Sequence, residues 1–147
     1  MEILWELIEE NLRQLDAGKK ASRALVGTLT PTQLSVLNEK RSSLGFPLVS
    51  GEMFFIGSHI YDSRCKRDNY SVDDVLAQLK GALSDSSIIQ IRSGGRSTIL
   101  QSTEYRKDAY ENEFVIDEVI FECTSKNPLI EIYSVIPKGD KNKPPKK

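Results

Sequence analysis

Apolar residues recur at helical spacing along the first part of the chain. Leu4, Ile8, Leu12 and Leu15 stand four, four and three positions apart, with Glu6, Glu9, Glu10 and Arg13 between them. That stripe predicts an amphipathic helix over residues 3–16. Residues 17–27 begin polar and read as a linker or a frayed turn. Thr30-Pro31 then opens a second helix, threonine as N-cap and proline at the first helical position. Leu34, Val36 and Leu37 carry it to about Leu44, and Gly45 stands where a C-terminal cap glycine belongs.

Pro47 holds Phe46 out of the helical region, so residues 46–49 are extended. Residues 52–56 are ambiguous between a short strand and a helical turn. Ser58 reads as the cap of a short helix from His59 to about Lys66. Asp68-Asn69 is turn-like. Ser71-x-x-Asp74 has the form of a capping box, and Val72, Val75, Leu76, Leu79 and Leu83 give the helix behind it an apolar stripe. After Ser84 the pattern changes to strands. Ile88–Ile91 and Ser97–Leu100 flank Ser93-Gly94-Gly95, a hairpin turn. Phe114–Asp117 leads into Val119–Cys123, and Leu129–Ile136 follows the turn Asn127-Pro128. Helices first and strands later define an α+β fold: N-terminal helices followed by a C-terminal antiparallel sheet of about four strands. The expected organisation is a helical lead-in over 1–45, an α+β domain over 46–137, and a disordered basic tail over 138–147.

Composition narrows the chemistry. The chain has 147 residues, 39% hydrophobic and 28% charged, enough for one globular domain with a core. The N-terminus is acidic where a secretory signal is basic, and no apolar run reaches the length of a membrane span. The net charge of −1 does not predict a broad basic face. Its distribution is uneven: residues 59–107 carry eight positive and six negative charges, and residues 108–137 carry one and seven. The single histidine, His59, and two distant cysteines, Cys65 and Cys123, supply no structural zinc set, no CxxC motif and no disulfide framework. A reduced, cytoplasmic setting follows. Gly94-Gly95 belongs to no P-loop or dinucleotide fingerprint, so no cofactor is expected. Asp117, Glu118 and Glu122 lack metal-site spacing and read as solvated edge residues, so no metal is expected either.

His59 is the residue with chemistry to offer. On a helix, Asp62, Ser63 and Lys66 follow it at i+3, i+4 and i+7. An imidazole titrating near neutrality beside cations suits metal-free cleavage of RNA. The ribose 2′-hydroxyl is the nucleophile, imidazole moves the proton, and cations stabilise the charge on phosphorus oxygens. The same spacing also describes a structural histidine beside a solvated charge cluster. A second donor-rich group lies on the hairpin. Gln90 pairs by face with Arg92 and Arg96 with Thr98, and arginine forks suit phosphate oxygens. Ser134 lies within the last apolar strand: it is buried and needs a partner if Ile132 and Ile136 face the core, and lies on the working face if they do not. Trp5 reads as packing.

His59 with Arg64 and Lys66, the Asp68–Val75 helix start, Arg92, Ser97-Thr98 and the segment 129–140 resemble, in that order, the small toxin-type nucleases of the barnase/EndoU/colicin/RelE-like superfamily. The likeness covers about residues 46–140 and is closest to the versions in phage head-morphogenesis proteins and contact-dependent toxins. It implies a metal-independent ribonuclease acting on RNA, often tRNA, with a cognate inhibitor or phage protein as partner. It makes His59 the general base or acid. Arg64 and Arg92 then bind or polarise phosphate, Thr98 and Ser134 orient it, and Lys66, Arg67, Arg96 and Ser97 bind substrate. The acidic segment 108–137 departs from a typical RNA binder. It suggests the rival expectation of a non-catalytic interaction protein that uses this segment as its contact surface.

Overall fold

In the computed structural model, which describes residues 1–92, 97–109, 114–123 and 129–139, the first apolar stripe forms helix α1 (Trp5–Asp16). Ile8 and Leu12 are fully buried, whereas Leu4 lies ahead of the first turn and is exposed. The expected linker instead carries strand β1 (Ala24–Thr28). Its polar approach hides a short run in which Val26 buries completely. Ile3 crosses this strand at Gly27, where an added Cβ would stand 2.6 Å from Ile3 Cδ1 and 2.8 Å from the Glu2 carbonyl oxygen. Only glycine admits that approach.

Helix α2 (Pro31–Ser43) starts as its sequence predicts. Thr30 Oγ1 accepts from the Gln33 amide at 3.1 Å, and Gln33 Oε1 accepts from the Thr30 amide at 3.1 Å. The ambiguous segment resolves to strand β2 (Glu52–Phe55). Helix α3 (Ser58–Ile60) passes directly into a π-helix, Tyr61–Arg67. Ser58 makes no capping bond; the residue ahead of the helix is Gly57, at φ +72°. Helix α4 (Val72–Ala82) has the predicted box, with both Ser71–Asp74 bonds formed.

Among the described residues five strands follow: β3 (Ile88–Arg92), β4 (Ser97–Gln101), β5 (Arg106–Lys107), β6 (Phe114–Glu122) and β7 (Ile130–Gly139). The predicted turns at 93–95 and 127–128 lie outside the described residues, as do residues 140–147 of the expected tail. Lys138 and Gly139 belong to β7, not to the tail.

Among the described residues the sheet has seven strands in the order β1-β2-β7-β6-β4-β3, with β5 also paired to β6. The α+β class stands, but the antiparallel sheet of about four strands is corrected to a mixed sheet. β2 runs parallel to β7, in the register Met53↔Ile130 to Phe55↔Ile132. Pairing between segments so distant leaves no trace in local periodicity. The helices share one core with one face of the sheet. Ile8, Leu12, Leu37, Ile60, Val75 and Leu79 pack in the same buried cluster as Phe55, Leu100, Val119, Phe121, Ile132 and Val135. Residues 1–45 thus supply a strand and core side chains to the sheet, beyond a helical lead-in. Among the described residues no helix is long and apolar enough to cross a membrane.

The pairing of β6 with β7 has one irregularity. Phe121 pairs with Ile132 and Ile120 with Ser134, which leaves Tyr133 as an extra residue in β7. This β-bulge shifts the alternation by one, so Ile132 and Val135 both join the core and Ser134 turns to the opposite face with Ile120.

Candidate active site at the end of the parallel strand pair

β2 ends at Phe55 while β7 runs on, and the chain turns into α3 over the step. Gly57 makes that turn. A Cβ there would meet the Phe55 ring at 2.7 Å and collide with Asn11 Oδ1. Ile60, fully buried, anchors the helix start in the core. His59, one residue earlier on the turn, therefore faces outward and is exposed. Its ring lies against the Tyr133 ring, centroids 4.2 Å apart and planes within 13°. Ser63 Oγ, one turn on and buried, lies 3.4 Å from His59 Nε2. The bulge presents Tyr133 to this stack, with 42% of the residue exposed. The arrangement fixes the plane of the imidazole, keeps it open to solvent and gives one ring nitrogen a hydroxyl neighbour. A general acid–base group needs these features.

The π-helix behind His59 has an internal frame. The Tyr61 hydroxyl donates to Asp16 Oδ1 at 2.7 Å, and that bond, with burial and the carboxylate charge, pushes its pKa up to about 12. Lys66 is exposed, 3.7 Å from Asp62 and 5.7 Å from the centre of the Tyr61 ring. Segments of π-helix are rare and recur near functional sites.

The other expected site residues fall elsewhere. Arg64 is buried and pairs with Asp68 at 2.8 Å; burial lowers the proton affinity of its guanidinium, and its carbonyl accepts the Tyr70 amide. Arg67 holds the same Asp68 at 3.0 Å, a bond that keeps the carboxylate pKa below its ordinary value. Both arginines fasten the turn at Asn69, which has φ +65°. The phosphate role expected for Arg64 is corrected by this burial.

Arg92 lies on the sheet face away from the helices. It donates to Glu118 Oε2 at 2.9 Å and to Gln90 Oε1 at 2.8 Å. Gln101 Nε2 at 2.5 Å and Lys138 Nζ at 3.4 Å complete the surroundings of Glu118, which is 1% exposed. Thr98 does not join Arg92. The last described pair of the hairpin is Arg92↔Ser97, so Thr98 pairs with Ile91 and Phe121 and is buried on the core face. β3 is three strands from β7, so Arg92 and Tyr133 are separated by roughly 14 Å at ~4.8 Å per strand. The hairpin and His59 are thus not parts of one phosphate pocket. Ser134 is buried on the Arg92 face, a step along β7 from Tyr133; neither expected arrangement of Ile132 and Ile136 holds, because the bulge puts them on opposite faces. Arg96 lies outside the described residues, and of Ser97 only the backbone pairing is described.

Asp117 and Glu118 are not solvated edge residues; both are buried. Arg106 grips Asp117 with two bonds, Nε–Oδ2 at 2.9 Å and Nη2–Oδ1 at 2.8 Å, although burial still raises the Asp117 pKa. The Tyr70 hydroxyl donates to buried Asp108 at 2.5 Å. The acidic run 108–137 is thus largely internal among the described residues, with Glu122 exposed. Among those residues no cluster of three or more His, Cys, Asp or Glu is placed to hold a metal.

Sequence reasoning missed Tyr133, Gly57 and the π-helix. The signal for Tyr133 was a slip in phase: apolar residues at 130 and 132, then 135. No family model, curated protein or solved structure matches this chain.

Proposed function

We propose that the chain is a ribonuclease of the toxin type that cleaves RNA without a metal, in the cytoplasm, with His59 as its acid–base group. The observation that carries this reading is the state of that imidazole: exposed, held flat on Tyr133, and within 3.4 Å of a serine hydroxyl. RNA brings its own nucleophile. His59 takes the proton from the 2′-hydroxyl, the 2′-oxygen bonds to phosphorus, and the bond to the leaving 5′-oxygen breaks. The products are a 2′,3′-cyclic phosphate and a 5′-hydroxyl, the latter protonated by a general acid or by water. Lys66 is an exposed cation of the same helical segment and offsets charge on the phosphoryl oxygens. Arg92, bound to Glu118, acts on the fold of the open face and not on the scissile phosphate.

The test is cleavage of a labelled single-stranded RNA in excess EDTA. Wild type should yield cyclic-phosphate ends, and His59→Ala should lower the rate by about 10²–10⁴-fold, the span of one acid–base group. Equal rates for the two proteins, or no cleavage by folded wild type, overturn the proposal. The rival reading, a binder working through the acidic segment, is not favoured, because Asp108, Asp117 and Glu118 are buried and engaged internally.

A further inference from the structure

Exposed apolar side chains gather beside the His59–Tyr133 stack. β1 and β2 place Leu25 opposite Phe54, and β2 and β7 place Phe54 opposite Glu131. Met53 and Phe55 point into the core, so Phe54 and Ile56 share the opposite face. Leu25 and Ile56 are 42% and 41% exposed there. Ile56 directly follows Phe55, and Tyr133 directly follows Ile132, the two members of the last β2–β7 pair. Arg23 lies over this patch. Its Cζ is 4.1 Å from the centre of the Phe54 ring, and its Nε is 2.6 Å from Glu131 Oε1. Two stacked pairs are thus tied to nearby positions of β7, His59 on Tyr133 itself and Arg23 on Phe54, the partner of Glu131. Glu131 and Tyr133, which bring them together, are two residues apart on β7, about 7 Å along an extended strand.

We infer that Arg23 and Phe54 form a second nucleotide subsite, which takes an unpaired base of RNA by stacking on the outer face of the guanidinium. This rests on the ribonuclease reading of His59. The chemistry of the pair favours a base over a phosphate. The Arg23 charge is already met by Glu131, which repels a phosphate, while the Arg23 side chain remains 39% exposed. Guanidinium planes and aromatic rings are the surfaces on which proteins hold splayed-out bases. Glu131 acts here as a positioning residue that keeps the guanidinium over the ring. The flanking Leu25 and Ile56 offer apolar contact to the sugar and base edges. A duplex cannot use the subsite, because its bases are stacked on each other.

The experiment separates this proposal from the one it rests on. A short single-stranded oligonucleotide with 2′-O-methyl groups cannot be cleaved by the 2′-hydroxyl route, so its binding reads affinity alone. Fluorescence anisotropy is measured for wild type, Arg23→Ala and Arg23→Lys, each checked for an unchanged melting curve. Both variants should bind about tenfold or more weakly, the scale of one lost stacking contact. Lysine should rescue nothing, since it keeps the charge and loses the plane. On cleavable RNA both should raise KM and leave kcat in place. Binding by Arg23→Lys equal to wild type, or equal dependence on Arg23 for the matching duplex, overturns the subsite. So does no binding of the oligonucleotide at all. Binding that depends on Arg23 in a protein that cleaves nothing keeps the subsite and removes the catalytic reading. Cleavage with KM indifferent to Arg23 does the reverse.

Discussion

Replacing Gly57 by alanine tests whether the turn that delivers His59 is as tight as the structure has it. Two costs combine. At φ +72° an L-residue sits in the left-handed region, at about 1–2 kcal/mol. The new methyl also meets the Phe55 ring at 2.7 Å and runs into Asn11 Oδ1. Neither neighbour can swing away easily: Phe55 is a buried strand residue, and Asn11 is buried with its amide nitrogen bound to the Ser22 carbonyl at 3.1 Å. Overpacking of this kind costs about 1–3 kcal/mol. The sum, ~2–5 kcal/mol, is a large part of the ~5–15 kcal/mol by which domains are stable. Urea unfolding followed by tryptophan fluorescence should show the midpoint falling by about 1–3 M. Asn11→Ala in the same chain should return the part owed to the collision, as a coupling of ~0.5–3 kcal/mol, and leave the backbone part. A loss of less than ~1 kcal/mol together with zero coupling would refute the geometry of the turn, and with it the account of how His59 is aimed.

Truncating the arginine should cost more than neutralising the buried carboxylate. Arg92→Ala leaves the Glu118 charge buried with Lys138 as its remaining cation and should lose about 1–3 kcal/mol, less than a wholly unpaired buried charge because Gln101 also still reaches it. Glu118→Gln keeps the volume and frees only the 36% exposed Arg92 and the 53% exposed Lys138, which water solvates, so it should lose less; a larger loss for Glu118→Gln in denaturant melts would contradict the network. Tyr61 should titrate late: by ultraviolet absorbance one phenol should ionise near pH 12, and Tyr61→Phe should remove that phase. A phenol raised on folding contributes stability that is complete below its ordinary value of 10.0 and is lost as pH rises through about 12, so the stability of Tyr61→Phe should change less across that window.

Local periodicity carried the helices and failed on the sheet's far edge. Ile8 and Leu12, the Thr30 cap with Pro31 behind it and the Ser71–Asp74 box all state their structure within a few residues of themselves, and each formed as read. β1 and β2 are short and lie in polar or ambiguous surroundings, and their place in the sheet depends on β7, far along the chain. The site followed the same division. His59 was singled out by being unique and by Asp62, Ser63 and Lys66 at helical spacing behind it. Tyr133 reaches it only through the bulge and the parallel pairing, which no spacing rule joins. Arg64 shows the opposite error. Next to His59 in a basic segment it looks like a phosphate ligand, but a position on the inner side of the π-helix buries it against Asp68. Thr98 was misplaced by a single step of hairpin register, which is enough to move a side chain to the other face.

The position of β7 also sets an order of events during synthesis. The last strand among the described residues is central in the sheet, between β2 and β6. Until it leaves the ribosome, β1–β2 and β3–β4–β6 are two separate pieces with open edges. The His59 segment waits without its stacking partner through the translation of everything between. Closing the sheet requires contacts of high sequence separation, which form slowly. A nascent chain therefore carries the imidazole but not the assembled site.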